Sequence, residues 1–222
     1  MTEFLAQNGS LLVQGTLETL YMTLVSTLLA YLIGTPMGVL LTITKPGALA
    51  ACPRFNGIFS WIVSILRSLP FIILMIFIIP FTRAVVGTSI GCTAAIIPLT
   101  LSAAPFVARM VESSLEEVDK GVVEAVKSMG ATNWQIVTRV MLVESIPSLL
   151  RGMSISTITI LGYTTITGAV GAGGLGNLAL RFGYQRYQSD VMYATILLLI
   201  LLVCIIQSIF EVVARHADKR NR

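Results

Sequence analysis

The sequence predicts an all-α membrane protein with five transmembrane helices, and three observations carry that prediction. First, the 222 residues are 55% hydrophobic and only 12% charged, where a soluble domain carries about 25% charged residues. Mean hydropathy is accordingly high, at +0.85. Second, the charges leave long uncharged intervals, on the scale of the ~20 apolar residues a helix needs to cross a bilayer core about 30 Å thick. Third, lysine and arginine gather on alternate sides of those intervals, the bias that orients membrane proteins.

The first interval, 26 uncharged residues between Glu18 and Lys45, predicts a span over about 19–43. Gly34 and Gly38 flank Pro36 there as a small-xxx-small pair, which lets helix backbones approach closely in lipid. The second interval is shorter. Only 15 uncharged residues separate Arg67 from Arg83, ~22 Å at 1.5 Å per residue. The span is therefore extended back to about 56–81, with Arg67 inside the protein or snorkelling to an interface.

The 25 residues between Arg83 and Arg109 predict a third span, about 88–110. The 29 between Arg151 and Arg181 hold a fourth, about 148–169, and part of a loop. The 20 between Asp190 and Glu211 give the fifth, about 190–212. Pro70, Pro80, Pro98, Pro105 and Pro147 put breaks in or beside these spans, which membrane helices accept where neighbours satisfy the freed carbonyls. They read either as ordinary kinks or as hinges of a gate.

Five spans place the termini on opposite sides. With the C-terminus inside, the cytoplasmic segments hold 11 of the 15 basic residues: Lys45, Arg54, Arg109, Lys120, Lys127, Arg139, Arg151, Arg215, Lys219, Arg220 and Arg222. Arg83, Arg181 and Arg186 fall outside. Residues 111–147 and 213–222 are thus expected in the cytoplasm and the N-terminus outside. The first residues, MTEFLAQNGS, lack the positive n-region of a secretory signal peptide. Residues 1–222 are read as a single transmembrane domain.

Residues 121–147 form the one long polar stretch, and their local code reads helix, turn, helix. Val122, Val123, Val126 and Met129 recur at helical spacing while Glu124, Lys127 and Ser128 take other positions. Gly130 stands where the helix should stop, since glycine enters the left-handed conformation without a side-chain clash. Thr132 with Gln135 three residues on makes a capping box for the second helix. That helix places Trp134, Ile136, Val137, Val140 and Met141 on one side, and Pro147 ends or kinks it.

Several chemistries are excluded. Gly171–Gly176 spells G-x-G-x-x-G, but the dinucleotide motif needs a preceding strand in a βαβ unit, and here a membrane span precedes it. A glycine-rich external turn is the better reading. No Walker A sequence occurs, so any ATP dependence must come from a partner. Cys52, Cys92 and Cys204 lack metal-ligand spacing, and the sole histidine, His216, sits in the charged tail. No catalytic residue, metal site or nucleic-acid surface is expected.

The polar stretch resembles the cytoplasmic loop of ABC-importer permeases, whose signature runs Glu-Ala-Ala, three residues, Gly, nine residues, Ile-x-Leu-Pro. Glu124, Ala125, Gly130 and Leu142 match, Val140 stands for the Ile, and Val126 and Val143 depart. Residues 67–83 (RSLPFIILMIFIIPFTR), 86–91 (VGTSIG), 94–112 (AAIIPLTLSAAPFVARMVE) and 168–180 (GAVGAGGLGNLAL) resemble the methionine-import permeases in particular. The resemblance covers about residues 11–214.

It implies a type I ABC-importer permease fold with a cytoplasmic coupling helix, in the bacterial inner membrane. It also implies a homodimer in the lipid bilayer, two copies of a cytoplasmic ABC ATPase subunit that binds the ATP, and a periplasmic methionine-binding lipoprotein. The cargo implied is L-methionine, with the D isomer. The chain itself is then neither an enzyme nor a holder of a cofactor. Glu124, Ala125, Lys127, Ser128, Met129, Gly130, Ala131 and Thr132 are the expected ATPase-coupling residues. Tyr163, Thr164, Ile166 and Thr167, with Thr165 among them, either line the cargo path or bond between helices. Permeation of a different small solute is the near alternative. An ATPase-independent secondary carrier, which typically shows inverted repeats absent from this chain, or a membrane scaffold, is more distant.

Overall fold

In the computed structural model, which describes residues 2–217 and side chains from Asn8 onward, every regular element among the described residues is a helix. The first uncharged interval lies in α1 (Thr2–Ile43), which runs through Pro36 without stopping. α2 (Pro53–Ser68), α3 (Phe71–Phe77) and α4 (Ile79–Val86) follow, then the long α5 (Cys92–Glu116). The polar stretch folds as α6 (Lys120–Ser128), α7 (Asn133–Gln135), a π-helical turn (Ile136–Met141) and α8 (Leu142–Glu144). α9 (Ile146–Ala169), α10 (Gly174–Leu178), a second π-helical turn (Ala179–Tyr184) and α11 (Ser189–Ala217) complete the chain.

Among the described residues, α1 from Asn8, α5 and α11 are each long and apolar enough to cross a bilayer alone. α2 with α3, and α9 with the segment Gly174–Tyr184, qualify only as bent pairs, which makes five if each pair is one span.

The second expected span, 56–81, is not one helix. It breaks at Leu69–Pro70, with Pro70 at φ −58°, ψ 129°. Proline has no N–H to give and pushes the preceding residue out of the helical region, so the interruption was written in the sequence at Pro70. A second break falls at Ile78, between α3 and α4. Arg67, which the charge pattern put in the membrane, holds its guanidinium 5.6 Å from the Phe106 ring centre, a cation–π contact that lessens the cost of its charge. Pro147 begins α9 rather than ending the helix before it; the break falls at Ser145, and proline in a first helical turn removes no needed hydrogen bond. Lys219, Arg220 and Arg222, counted for orientation, lie outside the described residues.

The contacts divide the chain into two compact units. One comprises α1 from Ala30 on with residues up to Ser68, 104–156, and the chain from Ser208. Gly34 and Gly38 pack against α5 here: a Cβ on Gly34 would lie 2.7 Å from Val107 Cγ1, and one on Gly38 2.6 Å from the Ala108 carbonyl oxygen. The small-xxx-small pair is therefore a backbone-to-backbone contact. Leu41, Val63 and Ala108 form a fully buried cluster beside it, flanked by Met37 and Phe59.

Polar groups in this unit are joined into one network. Arg109 donates to Glu112 (2.7 Å), the Ser60 carbonyl (2.8 Å), Ser60 Oγ (2.8 Å) and Ser64 Oγ (2.7 Å). Lys45 pairs with Glu112 at 2.7 Å and also with Glu116. Partial burial would lower the Lys45 pKa, but hydrogen bonds and charge from Glu112 and Glu116 outweigh it and hold the ammonium above its ordinary value. Asn56 Nδ2 donates to the Leu41 carbonyl (2.7 Å) and Thr44 Oγ1 (2.9 Å). The end of α1, α2 and α5 are thereby tied together.

The other unit comprises α1 up to Leu29, 69–103 and 157–207. Its organising contact is the glycine-rich run after α9. Gly168 and Gly176 face each other's backbone so closely that a Cβ on Gly176 would lie 2.5 Å from Thr165 Cα, and one on Gly168 2.4 Å from the Asn177 nitrogen. Asn177 Nδ2 donates to the Gly168 carbonyl at 2.9 Å. Two neighbours on α1 then cap α10: Glu18 Oε2 accepts from the Gly174 N–H (2.7 Å) and Thr19 Oγ1 from the Leu175 N–H (2.9 Å). These side chains satisfy donors that the start of a helix leaves open. The glycine-rich run expected to be a turn does turn at 170–171, and its glycines make room for backbone between α9 and α10.

Gly38→Ala is expected to lower the thermal midpoint of the detergent-purified protein, because overpacking costs about 1–3 kcal/mol. Gly57→Ala, in α2 with nothing within 4 Å of an added Cβ, should be neutral or slightly stabilising from helix propensity. Equal midpoints for the two variants in fluorescence-monitored melting would remove the packing role of Gly38.

Candidate coupling surface and translocation path

Asp119 starts α6, its Oδ1 accepting from the Gly121 N–H at 2.6 Å. Nine residues later the helix closes on two bonds, Gly130 N–H to the Lys127 carbonyl (3.0 Å) and Ala131 N–H to the Val126 carbonyl (3.4 Å). This 5→2 and 6→1 pairing is the Schellman motif, which requires a left-handed residue. Gly130 supplies it at φ +84°, with no atom within 4 Å of an added Cβ. Conformation, not space, dictates glycine there.

The expected capping box is present: Thr132 Oγ1 accepts from the Gln135 N–H (3.3 Å) and the Thr132 N–H donates to Gln135 Oε1 (2.9 Å). Asn133 Nδ2 adds a bond to the Leu49 carbonyl at 3.1 Å. The path from α6 to α7 is thus fixed at both ends of a four-residue turn.

No residue of α6 is buried. Lys120, Val123, Glu124 and Lys127, at i, i+3, i+4 and i+7, share one face. That face lines a cavity of about 550 Å³ with Lys45–Leu49, Leu115, Glu116, Val118 and Met141. Val122, Ala125 and Met129, at i, i+3 and i+7, form another face that is exposed, Met129 by 85%. The valine and methionine stripe is therefore split between two faces. Of the residues expected to couple, Glu124 and Lys127 share the cavity, Ala125 and Met129 face outward, and Gly130, Ala131 and Thr132 build the turn.

The helical spacing puts Trp134 on one side of the second helix with Ile136, Val137, Val140 and Met141. Ile136, Val137 and Met141 are indeed buried, but Trp134 is 75% exposed just past the cap. A tryptophan in a polar loop was the available signal for a contact surface. The Lys45–Leu49 turn, distant in sequence, was missed because nothing local connects it to α6.

The residues expected near the end of α9 are placed differently from one another. Tyr163 stacks flat on Phe71, ring centres 4.6 Å apart and planes 5° from parallel. Thr164 and Thr167 are 1% exposed, their hydroxyls donating to the carbonyls of Leu161 (2.7 Å) and Thr164 (2.8 Å). Thr165 bonds Gly162 likewise at 2.6 Å, and Ile166 is the exposed member of the group. The cavity bordering Thr167, between Met75, Thr82, Pro98 and Val170, measures about 30 Å³, room for about one or two waters. Among the described residues no three His, Cys, Asp or Glu come together to hold a metal ion.

Residues 34–222 match the family described as the binding-protein-dependent transport system inner membrane component. The chain is 44% identical over 220 residues to the probable D-methionine transport system permease protein MetI of Vibrio cholerae, covering 99% of this chain and 98% of that protein. It is 45% identical over 205 residues to the methionine import system permease protein MetP of Bacillus subtilis, 92% of each chain. Its fold matches a chain of the MetNI methionine ABC transporter, solved in inward-facing conformations, with TM-score 0.95 and 48% identity over 96% of this chain and 99% of that one. A chain of an amino acid ABC transporter at 17% identity shares the fold, with TM-score 0.78 over 96% of each. The two closely packed glycine pairs, the apolar helices and the exposed α6 turn thus belong to a known architecture: this chain is a member of the binding-protein-dependent transport system inner membrane component family, a multi-pass permease of the ABC-importer fold.

Proposed function

We propose that the chain is the membrane permease subunit of an ATP-driven methionine importer, working as a homodimer with two cytoplasmic ATPase subunits and an external methionine-binding lipoprotein. The observation that carries this reading is the α6 turn: a helix with no buried residue, closed by a Schellman motif and a capping box and carrying exposed Met129 and Trp134, in a chain alike end to end with methionine permeases. ATP hydrolysis belongs to the partner.

Magnitudes say which part of the α6–α7 segment holds the ATPase. A tryptophan buries about 150–250 Å² in an interface, or roughly 4–6 kcal/mol gross at 25 cal/mol per Å². An exposed ion pair through Glu124 adds about 0.2–1 kcal/mol. Packing of Met129 and Trp134 therefore dominates, and Glu124 and Lys127 act toward the cavity behind the helix. Closure of the ATPase pair moves the docked turn as a rigid piece. The cargo path runs between two copies of the chain, with Ile166 and Tyr163 near it.

ATP-dependent methionine uptake into vesicles holding the permease, the ATPase and the binding protein is the direct test; no uptake above a no-ATP control would overturn the reading. Gly130→Val should abolish most uptake while insertion and dimerisation remain normal, since a β-branched residue is strongly disfavoured at positive φ. Trp134→Ala should weaken ATPase association about tenfold or more, and Glu124→Ala much less. Intact uptake by Gly130→Val would show that this turn does not transmit motion.

Orientation is tested by labelling: with the N-terminus outside and the α6 loop inside, an impermeant thiol reagent should reach Asn8→Cys in sealed cells but not Asn133→Cys. Labelling of the second would invert the arrangement. Purified without partners, the chain should hydrolyse no ATP above a mock preparation.

A further inference from the structure

The cavity behind α6 carries charges that docking of the ATPase does not use. At about 550 Å³ it falls within the size range of small-molecule sites, roughly 300–1,000 Å³. Its walls hold three cations, Lys45, Lys120 and Lys127, and two carboxylates, Glu116 and Glu124. Lys45 is already paired with Glu116 and with Glu112. Lys120, Glu124 and Lys127 have no ion-pair partner among the described residues. They stand at i, i+4 and i+7 on α6, so one open carboxylate lies between two open ammonium groups. The floor beneath them is apolar, made of buried Leu115, Val118 and Met141.

Depth narrows the ligand further. The spans formed by α1 and α5 end at Ile43 and Glu116, and both of these residues border the cavity. Lys45, two residues past the first of these ends, borders it too. With residues 111–147 inside, this is the headgroup level of the cytoplasmic leaflet, just past the hydrocarbon. Basic pockets among transmembrane helices on that side bind phospholipid headgroups. A purely anionic headgroup would leave Glu124 facing it without a partner. A headgroup that joins a phosphodiester to a primary ammonium pairs all three open charges.

We propose that the cavity is a binding site for the headgroup of a cytoplasmic-leaflet aminophospholipid, resting on the importer reading and on its orientation. Lys120 and Lys127 hold the phosphodiester through charge-assisted hydrogen bonds. Glu124 accepts from the ammonium, and the apolar floor receives the start of an acyl chain. Val122, Ala125 and Met129, on the exposed face of α6, point elsewhere, so the ATPase and the lipid take opposite sides of one helix. The bound headgroup braces α6 against the Lys45–Leu49 turn.

The test uses the whole transporter, permease dimer with its ATPase, stripped of lipid in detergent. It is offered equal amounts of phosphatidylethanolamine, phosphatidylcholine and phosphatidylglycerol with the same acyl chains. Native mass spectrometry counts the bound lipids and reports whether both ATPase copies are present. Wild type should retain phosphatidylethanolamine at least about fivefold over the other two, since trimethylation removes the N–H donors and glycerol carries no charge for Glu124. Lys120→Gln/Lys127→Gln should hold at least about tenfold less phosphatidylethanolamine. Glu124→Gln should still bind lipid but lose the preference over phosphatidylcholine.

Equal retention of the three lipids by a wild type that pairs with the ATPase and imports methionine overturns the site and leaves the importer reading standing. That comparison decides alone should the variants fail to assemble. Binding by the double lysine variant within about twofold of wild type overturns the site as well. Phosphatidylglycerol bound in preference reduces the lysines to attraction of anionic lipid, and the aminophospholipid assignment falls. Displacement by an equal concentration of glycerophosphoethanolamine, the same headgroup without chains, assigns the cavity to a soluble ligand and overturns the lipid. Retention by the permease alone, lost once the ATPase binds, gives the cavity to the partner. Wild type that neither pairs nor imports removes the importer reading, and the sidedness this site requires goes with it.

Discussion

Lipid gives helices no apolar reason to associate, so this chain depends on bringing backbones close enough for dispersion and dipoles to hold them. Gly34 and Gly38 do this against α5, and Gly168 and Gly176 do it between α9 and α10. At each place a single methyl group would lie under 3.0 Å from a neighbouring atom. Most other apolar side chains of α11 and α2 stay exposed, as they must in a solvent of acyl chains. Close glycine contacts are therefore the specific part of the packing, and leucine and isoleucine content is the permissive part.

Close approach lets one unit carry an ionic network around one buried carboxylate. Glu112 is 5% exposed and accepts from both Lys45 and Arg109, which in turn hold the end of α1 and α2. Removing either cation leaves Glu112 buried with one partner fewer, a cost that the partial exposure of Lys45 and Arg109 reduces. α6 begins four residues after Glu116, the last residue of α5. The network thus stiffens the base from which the exposed helix projects, and a projection transmits force only if its base does not yield.

The turn itself is built from local bonds and one long-range bond. Between Lys127 and Gln135 the chain is held by the Schellman pair, the reciprocal cap and the Asn133 bond to Leu49. No long-range apolar contact is needed to shape it, which frees Met129 and Trp134 to face outward. A partner that packs on them meets a surface already fixed, and fixed surfaces lose less entropy on binding.

Local chemistry determined much of this protein from the sequence alone. The uncharged intervals, the left-handed Gly130, the Thr132–Gln135 cap and the close pair at Gly34 and Gly38 are all properties of residues near one another in the chain, so their sequence pattern suffices. Pro70 also announced the break in the second interval, although the apolar count outweighed it. Tertiary structure decided the rest. Which face of α6 meets the cavity, and that Glu124 lies on it, depends on the Lys45–Leu49 turn some 75–80 residues away. That Trp134 is exposed while Ile136 is buried, and that Thr164 and Thr167 turn inward to their own helix, depends on which neighbours arrive at each side. Helical periodicity says which residues share a face, but only the packed neighbours say what that face meets.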